Sequence, residues 1–429
     1  MTVLASPRDY LANLPGHETT GTISAPGLDR MEKLVDALGR PNERYPAVHI
    51  TGTNGKGSVA ALVTQLLGVH GLEVGTFTSP HLSCITERVR IDGAPVTNKV
   101  FDGALSRVAQ AALRAGVVPT WFEAVTATGL LVFAQAKVDV AVIEVGMLGR
   151  WDATNVVRSE VAVVTNVELD HLDYAGPTRM HIAREKAGIV GPESTLVAGE
   201  MTDGLETVFA DRGPKRMYRY GREFTMARAR TAAGFSVRIV TPSCSYESLV
   251  VQLKGEHQCT NAALAVMATE AHLGRSLDIE MTRKALWSTV LAGRAEIIRE
   301  SDPQVLLDGA HNPAAATALG RMVNEQFLHA NPRILLCAMS GSRDPRSFLS
   351  NIDAPNFDLI VATQLRSRRA VEANAWTQPA RDMNLQIVSI EDVHAATKYA
   401  MRAARHGLVV VTGSLHLLAS VSETVLAGF

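Results

Sequence analysis

A β-branched run that breaks into a glycine-rich turn, followed at once by a helical pattern, constrains this chain more than any other segment. Residues 48–60 read Val48-His-Ile-Thr-Gly52-Thr-Asn-Gly-Lys-Gly-Ser58-Val-Ala60. Strand, loop and helix in that order build a cradle for phosphates: glycines admit backbone N–H groups to the oxygens, and the helix N-terminus adds partial positive charge. Within the loop Thr53, Asn54, Gly55, Lys56, Gly57 and Ser58 are the candidate nucleotide-binding residues. Lys56 can reach the outer phosphates and the Ser58 hydroxyl can hold a magnesium ion. The spacing departs from a strict Walker A pattern, because Gly57 is inserted between Lys56 and Ser58. The competing reading is an ordinary glycine-rich βα turn.

The rest of the chain agrees with a folded nucleotide-binding protein. Its 429 residues exceed one ordinary core, so at least two domains are expected. Apolar residues make up 46% and charged residues 20%, a globular balance, and a net charge of −1 points to neither nucleic acid nor anionic membrane. The start of the chain lacks a signal-peptide pattern, and no apolar run is long enough to span a bilayer. Cys84, Cys244, Cys259 and Cys337 are scattered, which suits free thiols in a reducing cytoplasm. A cytoplasmic location is therefore expected.

Apolar strand-like runs at 46–51, 73–78, 138–145 and 161–166 alternate with helical patterns at 58–69, 100–115 and 122–136. That alternation predicts a parallel sheet covered on both faces. Helical spacing also appears at 28–38, 177–190 and 259–273, while alternation across 216–253 predicts a small antiparallel sheet. A second α/β series runs from about 301 to the end. The expected division is an N-terminal ATP-binding domain over 1–294, a hinge at 295–300 and a smaller C-terminal domain over 301–429.

In open α/β sheets ligands bind beyond the carboxyl ends of the strands. The polar residues at those ends are Ser79 with His81, Glu144, and Asn166 with Asp170 and His171, alongside the phosphate loop. Together they make an oxygen- and nitrogen-rich edge suited to Mg²⁺ beside phosphates. Taken singly, each carboxylate can be a helix cap and each histidine a hydrogen-bonded structural group. Lys186 reads as a solvated helix lysine, and an ammonium has no lone pair for a metal. Asp308, in Leu306-Leu-Asp-Gly-Ala-His-Asn-Pro313, repeats the strand-turn-helix logic, with a capped turn as the alternative.

Ordered motifs spread over almost the whole chain resemble those of folylpolyglutamate synthase/dihydrofolate synthase in the Mur ligase superfamily. They are Gly52-Thr-Asn-Gly-Lys-Gly-Ser58, Ser79-Pro-His-Leu82 with Glu87-Arg88, Phe122-Glu123, Glu144-Val-Gly146, Arg150-x-Asp-Ala-Thr-Asn155, Asp170-His171, Lys186-Ala-Gly188, His257-Gln-x-x-Asn261, Gly293-Arg294, Asp308-Gly-Ala-His-Asn-Pro313 and Thr412-Gly-Ser414. The resemblance implies a P-loop Mur-ligase-type ATPase domain with a small antiparallel β subsheet, followed by a smaller Rossmann-like α/β domain. It implies an ATP-dependent amide ligase that adds L-glutamate to tetrahydrofolate and to dihydropteroate through an acyl phosphate. Lys56 and the loop amides would hold the ATP phosphates. Of two Mg²⁺ ions, Ser58, Ser79 and Glu144 would hold the first, and His171 and a carbamylated Lys186 the second. Asn261 and Arg294 would touch the nucleotide or its phosphates, and Asp308 and His311 would frame the adenosine. Leu28, Phe122, Asp152 and Ala153 would line the pterin pocket. Lys56 and His171 would stabilise the tetrahedral oxyanion. A monomer is expected, with small-molecule substrates and no nucleic-acid or membrane partner.

The sequence departs from the family pattern at Leu148, where a glycine is usual, and at Trp151 in the same loop. If position 148 needs a positive φ, leucine is strained there. Arg343, Arg368 and His416 also replace usual residues. These changes bear on substrate choice more than on ATP chemistry. A different Mur-type acid–amino acid ligase, a non-ligase nucleotide-binding regulatory protein and a phosphotransferase releasing the phosphorylated acid are the alternatives.

Overall fold

The structure is a computed structural model that describes residues 6–16, 27–170, 172–201, 204–231, 234–341, 343–367 and 369–426. The chain divides into two compact units, one up to Gln252 plus Gln258–Thr289, the other Leu253–His257 plus Val290 onward.

The first unit is built on an eight-stranded sheet in the order β4-β3-β2-β5-β1-β6-β7-β8. Its centre is β1 (Ala47–Thr51), β5 (Val140–Glu144) and β6 (Ser159–Val164), which run parallel. Every residue of β1 and β5 is buried. Strands rich in valine, isoleucine and alanine with both faces covered are what a parallel sheet requires. β2 (Val74–Phe77) pairs parallel with β5, and β7 (Thr195–Ala198) with β6.

One face packs against the helices Asp29–Ala37, Asn98–Ala115 and Trp121–Ala136, which contribute Met31, Leu34, Phe101, Leu105, Leu130 and Phe133 to a common core. The helix Trp121–Ala136 starts at a capping box: the Glu123 N–H donates to the Thr120 hydroxyl at 3.2 Å, and the Thr120 N–H to the Glu123 carboxylate at 2.7 Å. A second core, with Ile182, Ala183, Leu196 and Phe209, forms around β6, β7 and the helix Arg179–Lys186.

Three local features differ from the sequence reading. Val89–Ile91 (β3) and Ala94–Pro95 (β4) form a hairpin, turning at Asp92 and Gly93, both at positive φ. That Asp-Gly pair was the available signal. Arg216–Arg219 (β8) joins the large sheet parallel to β7, so the small antiparallel sheet holds only β9 (Thr225–Thr231), β10 (Gly234–Val240) and β11 (Ser245–Val251). Residues read as a hinge form a strand, β12 (Glu296–Arg299), antiparallel to β13 (Gln304–Leu307).

The second unit is a six-stranded sheet in the order β12-β13-β17-β14-β15-β16, with β17 at Leu408–Thr412, β14 at Arg333–Cys337, β15 at Leu359–Ala362 and β16 at Ile387–Ser389. All but β12 run parallel. Its core includes Leu306, Val323, Leu335 and Val410, with Trp376 edge-on to Phe348. Among the described residues of the whole chain, no helix is long and apolar enough to cross a membrane.

The entry to β17 depends on a missing side chain. A Cβ on Gly407 would stand 1.9 Å from the Pro332 carbonyl oxygen, which accepts the Leu408 N–H at 3.0 Å. Backbone cannot swing aside as a side chain can, so Gly407→Ala should destabilise the second unit by about 1–3 kcal/mol, the usual cost of overpacking. Denaturant unfolding checks this; an unchanged midpoint would contradict the packing.

Candidate active site

The phosphate-loop candidate begins where β1 ends. Gly52 follows Thr51, and the helix Lys56–Val69 starts after Gly55, whose φ is 85°. That value favours glycine, and space demands it too: a Cβ on Gly55 would lie 2.6 Å from the Asn261 Oδ1. A Cβ on Gly52 would lie 1.7 Å from the Thr165 Oγ1. No side chain caps the helix, so its first amides remain available to an anion.

The loop is clamped by the segment after β6. The Thr53 N–H donates to the Asn166 carbonyl at 3.1 Å and the Asn54 N–H to the Asn166 Oδ1 at 3.0 Å. In return the Thr165 hydroxyl and the Asn166 amide donate to the Asn54 carbonyl at 2.6 and 3.0 Å. Thr53 reaches further, its hydroxyl donating to the Glu168 carbonyl at 3.0 Å. The Lys56 ammonium folds back onto the carbonyls of Gly52 at 3.0 Å and Thr53 at 3.3 Å.

Glu144 ends β5 and is 4% exposed. Its carboxylate accepts the Ser79 N–H at 3.1 Å and lies 3.6 Å from where a Cβ on Gly57 would stand. Ser58, one residue on, is buried. Gly57, Ser79 and Glu144 are thereby brought together from three elements, and the Glu144 carboxylate supplies hard oxygen donors of the kind magnesium prefers. Among the described residues, no cluster of three His, Cys, Asp or Glu side chains converges.

Lys186 closes the helix Arg179–Lys186 and is 2% exposed, so it is not the solvated lysine that default chemistry suggests. Burial pushes its amine well below the ordinary lysine value, the nearby charge of Lys56 adds to this, and Asp170 opposes it. Lys56, Lys186 and Asp170 therefore share one electrostatic neighbourhood. His171 lies outside the described residues.

The loop 146–155 packs on the turn that carries Lys186. The Arg150 N–H donates to the Glu185 carbonyl at 2.8 Å, and a Cβ on Gly149 would lie 2.9 Å from that oxygen. Leu148 sits at φ 60°, the strained left-handed region expected for it. Asp152 and Ala153 are buried in the same loop. A Cβ on Gly146 would come within 2.4 Å of the Phe122 ring and 3.1 Å of the Asp152 Oδ2, so Phe122 and Asp152 face one another across this glycine. Leu28 precedes the helix Asp29–Ala37, in which Arg30 pairs with Glu123 at 2.9 Å. That ion pair ties the start of the Leu28 helix to the start of the Phe122 helix.

In the second unit the Asp308 carboxylate accepts N–H groups from Ala295 and Ala310, both at 2.9 Å. The His311 Nδ1 meets the Gly309 carbonyl at 2.9 Å, and Asn312 caps the helix Pro313–Gln326. A Cβ on Gly309 would strike Arg294 at 2.3 Å. Arg294, Asp308 and His311 thus gather at one turn.

Sequence reasoning passed over the clamping residue Thr165, and it placed Glu87 in a family motif without a role. Glu87 binds three successive loop amides, from Leu82 at 2.8 Å, Ser83 at 3.0 Å and Cys84 at 2.8 Å. Its capping-box position after Cys84 was the local signal for that role. Glu87→Ala should speed amide hydrogen exchange at 82–84 by about tenfold or more, since each charge-assisted bond contributes about 1.5–3 kcal/mol. Unchanged exchange would show that Glu87 does not hold this loop.

Comparison with known proteins follows the same division. Residues 50–269 match the Mur ligase middle domain, and residues 293–415 the Mur ligase glutamate ligase domain. The dihydrofolate synthase/folylpolyglutamate synthase of Mycobacterium tuberculosis is 37% identical, over 82% of this chain and 76% of that protein. The structure of Escherichia coli FolC in complex with DHPP and ADP superposes with a TM-score of 0.87 and 31% identity, covering 99% of this chain and 98% of that one. A bifunctional folylpolyglutamate synthase/dihydrofolate synthase from Yersinia pestis, complexed with AMPPNP and Mn ion, gives 0.85 and 28% over 99% and 98%.

Proposed function

The chain belongs to the dihydrofolate synthase/folylpolyglutamate synthase family of Mur ligases, and on that premise we propose that it joins L-glutamate to the carboxylate of a reduced folate, and of dihydropteroate, at the expense of ATP. The observation that carries this reading is the edge where the clamped loop Gly52–Ser58, the buried Glu144 and the buried Lys186 beside Lys56 meet. The relatives with bound ADP, AMPPNP and Mn ion support a nucleotide and a divalent metal at such an edge.

A carboxylate is a poor acyl donor, so the acceptor is first phosphorylated by ATP. The amine of glutamate then attacks the acyl carbon, and phosphate leaves from a tetrahedral intermediate. The loop amides and Lys56 bind the β- and γ-phosphates, with Lys56 leaving its carbonyl partners Gly52 and Thr53 to do so. Asn261, against Gly55, flanks the same phosphates, and Arg294, Asp308 and His311, gathered at one turn, are the further candidate nucleotide contacts. Ser58, Ser79 and Glu144 fit a Mg²⁺ ion, which when bound offsets charge on the transferring phosphoryl group. His171 and a carbamylated Lys186 would hold a second ion. The ammonium of Lys186 cannot, but its depressed basicity favours the neutral amine, whose nitrogen would bond to carbon dioxide and release one proton to solvent, giving a carbamate with oxygen donors. Phe122, Asp152, Ala153 and Leu28 line the acceptor pocket.

Phosphate release, paired with mass detection of the glutamylated product, tests the reading with dihydropteroate and tetrahydrofolate as alternative acceptors. Amide formation that requires glutamate is the expected result. ADP release with no amide would favour a phosphotransferase, and silence with both acceptors in protein that binds ATP would mean that the Leu148–Trp151 loop selects another acid. Lys56→Ala should abolish turnover without altering the fold, checked by circular dichroism; near-normal turnover in a folded variant would remove Lys56 from the phosphate site. Lys186→Ala should lose activity and regain part of it with short carboxylates such as acetate. Full activity without rescue would remove Lys186 from the site.

A further inference from the structure

β1 does more than deliver the phosphate loop. Two of its side chains, His49 and Thr51, are two residues apart and so emerge on the same face of the strand. Both grip the 146–155 loop. The Thr51 hydroxyl donates to the carbonyl of Leu148 at 2.5 Å, at the residue held in the left-handed region. The His49 Nε2 lies 2.9 Å from the Thr154 Oγ1, and the Thr154 hydroxyl donates to the Asp152 Oδ1 at 2.6 Å.

With Asp152 as a carboxylate, the directions in this chain follow from counting protons. A hydroxyl has one hydrogen, and at 2.6 Å from a carboxylate oxygen it is given to Asp152. Thr154 must then accept from His49, so the imidazole carries its proton on Nε2 and leaves Nδ1 bare. Nδ1 is buried without a partner, and a bare acceptor there costs less than an orphaned N–H would. The ring is fully buried, which pushes it down to about 3, so it remains neutral at physiological pH.

The carboxylate at the far end is also held by backbone. Asp152 accepts the Thr154 N–H at 3.0 Å on Oδ1 and the Met147 N–H at 2.8 Å on Oδ2. Its two oxygens therefore join both ends of the 147–154 loop, beside Gly146 and the Phe122 ring. An isolated aspartate could turn about its side-chain bonds. This one cannot turn without breaking two backbone bonds and the Thr154 hydroxyl bond, whose direction His49 sets.

We propose that His49 is a positioning residue for the acceptor: through the Thr154 hydroxyl it fixes the Asp152 carboxylate, and with it the wall of the pocket beside Phe122. The assignment rests on the reading of Phe122 and Asp152 as acceptor-lining residues. It gives His49, a strand residue with no access to solvent, an effect on acceptor binding that it does not have on glutamate or ATP.

Two measurements test it. Steady-state kinetics should show that His49→Leu and Thr154→Val each raise KM for the acceptor about tenfold, the effect of one lost hydrogen bond, with KM for ATP and glutamate within about twofold. His49→Gln, whose amide can still donate to Thr154, should recover most of the affinity. An unchanged acceptor KM, an equal rise in all three constants, or a Gln variant as poor as Leu would overturn the proposal. The second measurement needs neither turnover nor a variant that folds less well: NMR of wild-type protein carrying isotope-labelled histidine nitrogens, with His49→Gln used only to assign the signal. It should find His49 protonated on Nε2 and bare on Nδ1. A proton on Nδ1 would overturn the relay. Should wild-type protein turn over no pteridine acceptor at all, the pteridine-acceptor reading fails while the tautomer still decides the relay.

Discussion

The contact between Gly52 and Thr165 is the constraint on which the candidate site depends. It exists because position 52 has no side chain, and it lets β1 and β6 close to within hydrogen-bond reach beyond their last paired residues. Thr165 and Asn166 then take up the Asn54 carbonyl and the amides of Thr53 and Asn54. A phosphate loop must hold its N–H groups outward while its own carbonyls are satisfied elsewhere. Here the neighbouring strand supplies that satisfaction, so the loop is shaped before any nucleotide arrives.

The same edge organises charge. Lys56 and the buried Lys186 repel one another, and the cost falls on the member that is fully desolvated. Glu144 is buried yet bonded to the Ser79 amide and set beside Gly57, so its negative charge faces the loop that is to receive phosphates. A carboxylate facing a phosphate site is repulsive unless a cation stands between them, which is the electrostatic reason for reading Glu144 as a metal ligand. The loop 146–155 is fastened to this arrangement from two sides, by Thr51 and His49 on β1 and by the turn after Lys186. The loops proposed to bind acceptor and nucleotide thereby share one strand as their support.

How much of this was legible in the sequence follows from the range of the interactions. The strands at 46–51, 138–145 and 161–166 were readable because both faces are buried, which forces continuous apolar runs. The strained φ at Leu148 was readable because leucine replaces an expected glycine. β12 was not, since Glu296–Arg299 is a half-exposed edge strand whose composition resembles a linker's. β8 was misplaced for a related reason: Arg216–Arg219 carries no apolar pattern, and only its register with β7 puts it in the large sheet. Among the candidate site residues, Lys56, Ser58, Ser79 and Glu144 could be singled out from their places at strand ends. Burial of Lys186, by contrast, arises from packing of its helix against a loop some 35 residues earlier, which no local pattern encodes. The Thr165 clamp and the His49–Thr154 bond are side-chain contacts between distant segments, visible only once the fold is formed.

The central claim is that the acceptor's own carboxylate is phosphorylated before glutamate attacks. The most direct test supplies an acceptor with a heavy isotope at both carboxylate oxygens, together with ATP, Mg²⁺ and L-glutamate, and examines the released phosphate by mass spectrometry. An acyl phosphate route transfers one labelled oxygen from the carboxylate to phosphate in each turnover, and this is the predicted result. Phosphate released without label, while the amide accumulates, would contradict it.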